Sequence, residues 1–208
     1  MNLESKIQKR LVVCLTGMPG AGKSTIASSL KEKGFLVVAM GDAIRDEAKQ
    51  QNLEPTDSNI GNLMLKVRNE LGPSAIAHLI LRKIERESAN GHDNHNMVID
   101  GIRSIGEVEV LKTIGHVKLL AIHASTNTRY EHLKVRARSD DPIVKEQFMR
   151  RDKRELSVGI SEAIALADET LSNNDLTIEE LEERAFQVIR KWLTEINDDD
   201  GNNIGETN

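Results

Sequence analysis

Residues 17–24 read Gly-Met-Pro-Gly-Ala-Gly-Lys-Ser, which fits the pattern Gly-x-x-x-x-Gly-Lys-[Ser/Thr]. These residue types at this spacing answer one chemical need, the binding of a polyphosphate. Gly17, Gly20 and Gly22 let the main chain wrap closely and turn its amides inward, where a side chain would obstruct them. The segment from Thr25 to Lys33 is helix-compatible, and a helix there adds the positive end of its dipole. Lys23 brings a mobile positive charge to the β- and γ-phosphates, and Ser24 brings a hydroxyl to Mg²⁺. The stretch Gly17, Met18, Pro19, Gly20, Ala21, Gly22, Lys23, Ser24 and Thr25 is therefore the expected ATP-binding loop. A second apolar run, Met97 to Ile99, leads into Asp100, an acid placed to hold Mg²⁺ through water.

Cations gather elsewhere. From Arg129 to Arg154 there are nine Lys or Arg against five Asp or Glu, inside a chain whose net charge is −5. Phosphoryl transfer spreads negative charge over several oxygens, which positioned cations stabilise in a water-poor site. Arg138, Arg150 and Arg151, with Lys23, are the expected stabilisers. Arg150 and Arg154 are four apart and share a helix face, and Pro142 after Asp140 and Asp141 marks a helix start. Asp152 and Glu155 are available as partners, so a salt-bridged helix pair is the competing reading.

These residues need a scaffold. The runs Leu11 to Leu15, Phe35 to Met40, Met97 to Ile99 and Val117 to Ile122 are apolar without alternation, as strands buried on both faces are. A weaker fifth strand falls at Thr170 to Ser172. Helical spacing separates them, for example at Ile76, Leu79, Ile80, Lys83 and Ile84. Strand–helix alternation of this kind implies an α/β fold in three layers, a parallel sheet with helices on both faces. Thr177 and Glu180 form a capping box ahead of Leu181, Ala185, Val188, Trp192 and Ile196, so Trp192 is expected in the core. Residues 197–208, NDDDGNNIGETN, lack the apolar surface to offset ordering entropy and are expected to be a disordered acidic tail beyond one domain, 1–196.

The segments around the loop resemble the nucleoside-monophosphate kinase group, notably adenylate kinase and dephospho-CoA kinase. Gly41-Asp42-Ala43-Ile44-Arg45 is similar to the Gly-Asp-x-x-Arg stretch whose arginine grips the acceptor phosphate. Asp100-Gly101-Ile102-Arg103 is similar to an Asp-Gly-aromatic-Pro-Arg segment, one residue shorter and without the proline. Arg138-Ser139-Asp140-Asp141, with Arg150 and Arg151, resembles a short lid, and Ala167-Asp168 through Asn173-Asn174 resembles the last strand and adenine-side loop of dephospho-CoA kinases. The whole, with its runs DGIRSIGEVE, RSDDP and RDKREL, resembles an archaeal family of adenylate-kinase-related P-loop proteins over about residues 10–195.

The resemblance implies a P-loop NTPase fold with a five-stranded sheet. It also implies an acceptor-binding region at about 41–90, a lid at about 129–154, and ATP with Mg²⁺ as cofactors. Asp42, Arg45 and Arg103 would face the acceptor. Three readings of Asp42 stay open: a helix N-cap, a proton acceptor should the acceptor be a hydroxyl, and, by resemblance, a residue that positions hydrated Mg²⁺. The expected activity is transfer of the ATP γ-phosphoryl to a nucleotide or nucleotide-like small molecule. The alternative is an ATP-dependent switch or assembly-factor ATPase acting on a protein or ribonucleoprotein partner.

Composition narrows the field further. Aromatic residues are 2 % of the chain, too few for a stacking platform on single-stranded nucleic acid. Asp198, Asp199, Asp200 and Glu206 carry most of the net charge, so the body is near neutral and nucleic acid is a disfavoured partner. No apolar stretch approaches the roughly 20 residues of a membrane helix, and the short run after MNLESKIQKR leads into the glycine loop rather than a cleavage site. With one cysteine, Cys14, in an apolar run, a buried thiol and a cytoplasmic setting are expected. His92 and His95 lack a third convincing ligand for a metal. A guanine-reading Asn-Lys-x-Asp or Thr-Lys-x-Asp is absent, which argues against a signalling GTPase.

Overall fold

The computed structural model describes residues 10–88 and 95–202. Five strands, β1 (Leu11–Thr16), β2 (Leu36–Ala39), β3 (Met97–Ile102), β4 (His116–His123) and β5 (Glu169–Ser172), form one sheet in the order β2-β3-β1-β4-β5. Every pairing is parallel, which places all strand C-termini, and the loops that leave them, along one edge. Ligands of open α/β sheets bind outside that edge, where the strand order reverses.

β1 lies in the centre and is buried from end to end. Its side chains alternate between two cores. Leu11, Val13 and Leu15 pack with Ile26 and Leu30 of α1 (Lys23–Glu32) and with Leu181, Ile189 and Trp192 of α9 (Ile178–Asn202). Val12 and Cys14 face the opposite core. That core takes in Ile44 of α2 (Met40–Gln50), Leu63 of α3 (Asp57–Leu71), Ile76 of α4 (Ala75–Ser88) and Leu111 of α5 (Ile105–Leu111). Each fully buried aliphatic side chain contributes about 1.5–3 kcal/mol, so the three-layer arrangement follows from the unbroken apolar runs. Burial pushes the Cys14 thiol upward, which leaves it an inert core residue.

α6 (Thr126–Arg136), α7 (Lys145–Ser157) and α8 (Ile160–Ala165) follow β4 and lie on the functional edge. Ser125 caps α6 by accepting from the Thr128 amide at 3.2 Å. The box before α9 is formed: the Thr177 amide donates to Glu180 at 2.8 Å and the Glu180 amide to Thr177 Oγ1 at 3.2 Å.

Four local details differ from the expectations. α2 begins at Met40 with Ala39 as its cap, so Asp42 lies inside the first turn and is not the N-cap. α7 begins at Lys145, three residues beyond Pro142, because Gln147 Oε1 accepts from the Ile143 amide at 2.7 Å and stops the helix there. β3 continues to Ile102, so Asp100 sits within the strand, beside a register shift between Leu15 and Thr16. α9 runs to Asn202, past the expected boundary at 196, since no glycine or proline interrupts the chain before Gly201; residues 203–208 lie outside the described residues. Among the described residues no helix is long and apolar enough to cross a membrane.

Candidate active site

The loop between β1 and α1 owes its shape to its neighbours. Gly17, Gly20 and Gly22 have φ of 138°, 84° and 111°. A Cβ on Gly17 would lie 2.2 Å from the Ile122 carbonyl oxygen, and one on Gly20 would lie 2.4 Å from that of Arg129. Five successive carbonyls are engaged by side chains. Lys23 Nζ donates to Gly17 O at 2.6 Å and to Met18 O at 3.3 Å, and Arg129 Nη1 donates to Pro19 O at 3.0 Å. His132 Nδ1 lies 2.9 Å from Gly20 O, and Asn173 Nδ2 donates to Ala21 O at 2.9 Å. Gly20, Gly22, Lys23 and Ser24, whose amides follow these carbonyls, all line the cleft. None of these amides bonds to another described group, which is the make-up of an anion nest at a helix N-terminus.

Lys23 is pushed down to about 8 by burial, with Arg103 and Arg136 acting the same way and Asp100 and Glu155 opposing. Burial likewise raises the Asp100 carboxyl, against the pull of Lys23, Arg103, Arg138 and Arg136. Asp100 Oδ1 is buried without a hydrogen-bond partner. A hard cation between Asp100 and the Ser24 hydroxyl would complete that oxygen's coordination, and the oxygen-only donor set suits Mg²⁺. The residues present therefore fit the metal the loop implies. Among the described residues no cluster of three or more His, Cys, Asp or Glu forms a separate metal site; His92 lies outside the described residues, and His95 is exposed.

The far end of the cleft is made of ion pairs between distant segments. Arg45 donates to Asp42 Oδ1 and to Asp140 Oδ2, both at 2.8 Å. Arg103 Nε donates to Glu155 Oε2 at 2.5 Å and its Nη1 to Gly101 O at 3.0 Å. Burial alone would raise the Glu155 carboxyl, but Arg103 and Arg151 hold it down to about 2. Glu107, fully buried at 0 % exposure, accepts from the Arg68 guanidinium, from the Arg103 amide at 2.7 Å and from the Ser104 amide at 3.3 Å. Arg154 holds Asp57 at 2.6 and 3.1 Å, and its guanidinium carbon lies 2.4 Å from where a Cβ on Gly61 would fall, so a larger residue there would have to displace the arginine.

One cleft of about 620 Å³ joins the two ends; it is lined by Gly17, Lys23, Ser24 and Thr25, by Asp100, and by Asp42, Arg45 and Arg103. Arg136, Arg138 and Arg151 from the α6–α7 region also line it. Pro19, Gly20 and Gly22 reach the cleft directly, whereas Met18 and Ala21 contribute through the loop's backbone. Arg150 does not join: its side chain is exposed and away from the cleft, because α7 turns Arg151 and Glu155 inward and Arg150 lies a third of a turn off.

Arg68, Glu107, Arg136 and Asp57 were not singled out from sequence. Only Glu107 carried a local signal, as the fourth residue of Ser-x-x-Glu.

Fold and site together define a P-loop nucleotide-binding protein of kinase-like architecture. Residues 13–156 match the family model described as AAA domain. The chain belongs to the UPF0200 family of archaeal proteins. It is 41 % identical over 186 residues to the UPF0200 protein of Pyrococcus abyssi, covering 88 % of this chain and 97 % of that one. It is 44 % identical over 163 residues to that of Methanocaldococcus jannaschii, covering 78 % and 81 %. In fold it is similar to TT1252 from Thermus thermophilus (TM-score 0.64, 16 % identity, 88 % and 98 % coverage). It is also similar to shikimate kinase from Acinetobacter baumannii solved in complex with shikimate (TM-score 0.54, 15 % identity, 89 % and 96 % coverage).

Proposed function

We propose that the protein is a kinase that transfers the γ-phosphoryl of ATP to a small-molecule acceptor. The observation that carries this reading is the continuity of the cleft from the phosphate loop, past Asp100, to the charged end around Arg45 and Arg103. A plain nucleotide-binding switch needs the first end and has no use for the second.

On this reading the amides of Gly20, Gly22, Lys23 and Ser24 hold the donor phosphates, and Lys23 leaves its loop carbonyls to meet the β- and γ-oxygens. Ser24 and Asp100 hold Mg²⁺, which supplies charge neutralisation at the phosphates when bound. Arg138, exposed and without an ion-pair partner among the described residues, is free to swing onto the transferring group, and Arg136 and Arg151 add to the field from the same wall. Asp42 and Arg103 face the acceptor, and Arg45 orients it by way of Asp42. The lid walls limit water at the transferred group, which favours transfer over hydrolysis.

The test is coupled ADP release in the presence of Mg²⁺, with and without acceptors, comparing wild type with Lys23→Ala and Arg138→Ala. Acceptor-stimulated turnover lost in Lys23→Ala is the expected result. Steady ADP release that no acceptor changes would overturn the kinase reading in favour of an ATPase.

A further inference from the structure

The two ends of the cleft are charged differently, and the difference bears on what is phosphorylated. At the loop end, Lys23 and Arg138 make no ion pair among the described residues. At the far end every guanidinium is already engaged by carboxylates. Arg45 holds both Asp42 and Asp140, and Arg103 holds Glu155. Arg151 lies 3.3 Å from Asp141, 3.8 Å from Asp57 and 3.9 Å from Asp140. A phosphate acceptor arrives as a dianion and would have to displace those carboxylates from their partners at close range. Like charges brought together at close range in a partly buried site repel more strongly than they do in bulk water. A neutral hydroxyl meets no such opposition, and carboxylates are what its donor needs.

The lining agrees with this. No Phe, Tyr or Trp lines the cleft among the described residues. The apolar surface near Arg45 and Arg103 is aliphatic, from Ala39, Ile102 and Ile160. A second nucleobase would find no ring to stack on. Ion pairs brace the far end, since Arg45 ties α2 to the loop before α7, and Arg154 ties α7 to α3 over Gly61. Asp42 completes the picture. Its side chain is 62 % exposed, with Oδ1 fixed by Arg45 and Oδ2 without a partner among the described residues.

We infer, on the footing of the kinase reading, that the acceptor is a compact hydroxyl-bearing metabolite rather than a nucleoside monophosphate, and that Asp42 is the group that receives the hydroxyl proton. The acceptor oxygen forms a bond to the γ-phosphorus, the bond from that phosphorus to the β–γ bridging oxygen breaks, and ADP leaves. The hydroxyl proton passes to Asp42 Oδ2 and from there to solvent. Arg45 holds the carboxylate in place for that transfer, so it acts on the acceptor through Asp42.

The experiment measures ADP formation with two sets of probes at millimolar concentration. One set holds the nucleoside 5′-monophosphates and inorganic phosphate; the other holds neutral polyols and sugars, among them glycerol, erythritol, ribose and inositol. Turnover with a member of the second set is expected. With that probe, Asp42→Asn should lower kcat by about 10²–10⁴-fold, the range for loss of a general base, with the acceptor KM changed only a few-fold and the Mg²⁺ requirement unchanged. Turnover with a nucleoside monophosphate instead overturns this inference and leaves the kinase reading standing. No acceptor-stimulated turnover with either set, in protein that binds ATP, overturns both. A raised Mg²⁺ requirement, or a change in KM alone, in Asp42→Asn removes Asp42 from the proton-transfer role.

Discussion

The two ends of the cleft are built on opposite plans. The phosphate loop presents main-chain amides, neutral dipoles whose direction is set by three glycines and by side chains that take up the carbonyls behind them. The far end presents full charges, guanidiniums matched by carboxylates, two of them from segments 52 and 97 residues away in the sequence, Arg103–Glu155 and Arg154–Asp57. A dipole nest is useful to one kind of ligand, a polyanion. A lattice of paired charges is nearly neutral and selects by geometry, since a ligand enters only where it replaces a hydrogen bond it breaks. The first end is therefore generic and the second particular.

Perturbations should separate the two plans. The largest effect is expected at Glu107, whose removal strands the Arg68 guanidinium and the Arg103 and Ser104 amides in the interior. Glu107→Ala should cost about 3–5 kcal/mol of folding stability, the range for breaking a buried charge pair, measured by urea unfolding. Next comes Lys23→Ala, which should lower ATP-dependent turnover by about 10²–10³-fold, as loss of one transition-state donor does, while the urea midpoint stays close to wild type. Gly20→Ala pushes a Cβ toward the Arg129 carbonyl at a positive φ. It should cost about 1–3 kcal/mol of strain, visible in calorimetric unfolding together with weakened ATP binding.

Smaller effects follow from titration. Lys23 is partly neutral near its value of about 8, and a bound polyphosphate raises that value again. ATP binding at pH 8 should therefore take up a fraction of a proton, read as a dependence of the calorimetric enthalpy on buffer ionisation; no buffer dependence would contradict it. Glu155 is held down to about 2 in the folded protein, so its contribution to stability is fully present above the ordinary carboxyl range and is lost as pH falls toward 2. The stability gap between wild type and Glu155→Gln should thus narrow between pH 6 and pH 2.5. The smallest effect belongs to Asp57→Asn, a half-buried pairing with Arg154, worth about 1 kcal/mol or less by the standard of partly exposed pairs.

The same contrast explains what the sequence made legible. The phosphate loop is eight contiguous residues, and β1, β3 and β4 each carry a short apolar run without alternation, so both could be read from local pattern. β5 gave a weaker signal because, as an edge strand, it alternates between half-buried and exposed positions. Arg45, Arg103 and Asp42 came from short motifs. Their pairings with Asp140, Glu155 and Glu107 did not, although Asp140 stands in the Arg-Ser-Asp-Asp run and Glu107 in Ser-x-x-Glu, because each pairing exists only once the sheet order has brought the segments together. Arg150 and Arg151 were indistinguishable as neighbours in the sequence, and the helix rotation sends one into the cleft and the other to solvent.

One feature of the loop reaches beyond this cleft. Its outward carbonyls are secured by Arg129, His132 and Asn173, three side chains that the chain supplies more than a hundred residues after the loop itself. The octapeptide alone does not carry its own mould. Transplanted between a strand and a helix of an unrelated scaffold, it would keep its glycines yet wander among conformers, and a host would regain phosphate affinity only by importing the polar buttress that stands behind it.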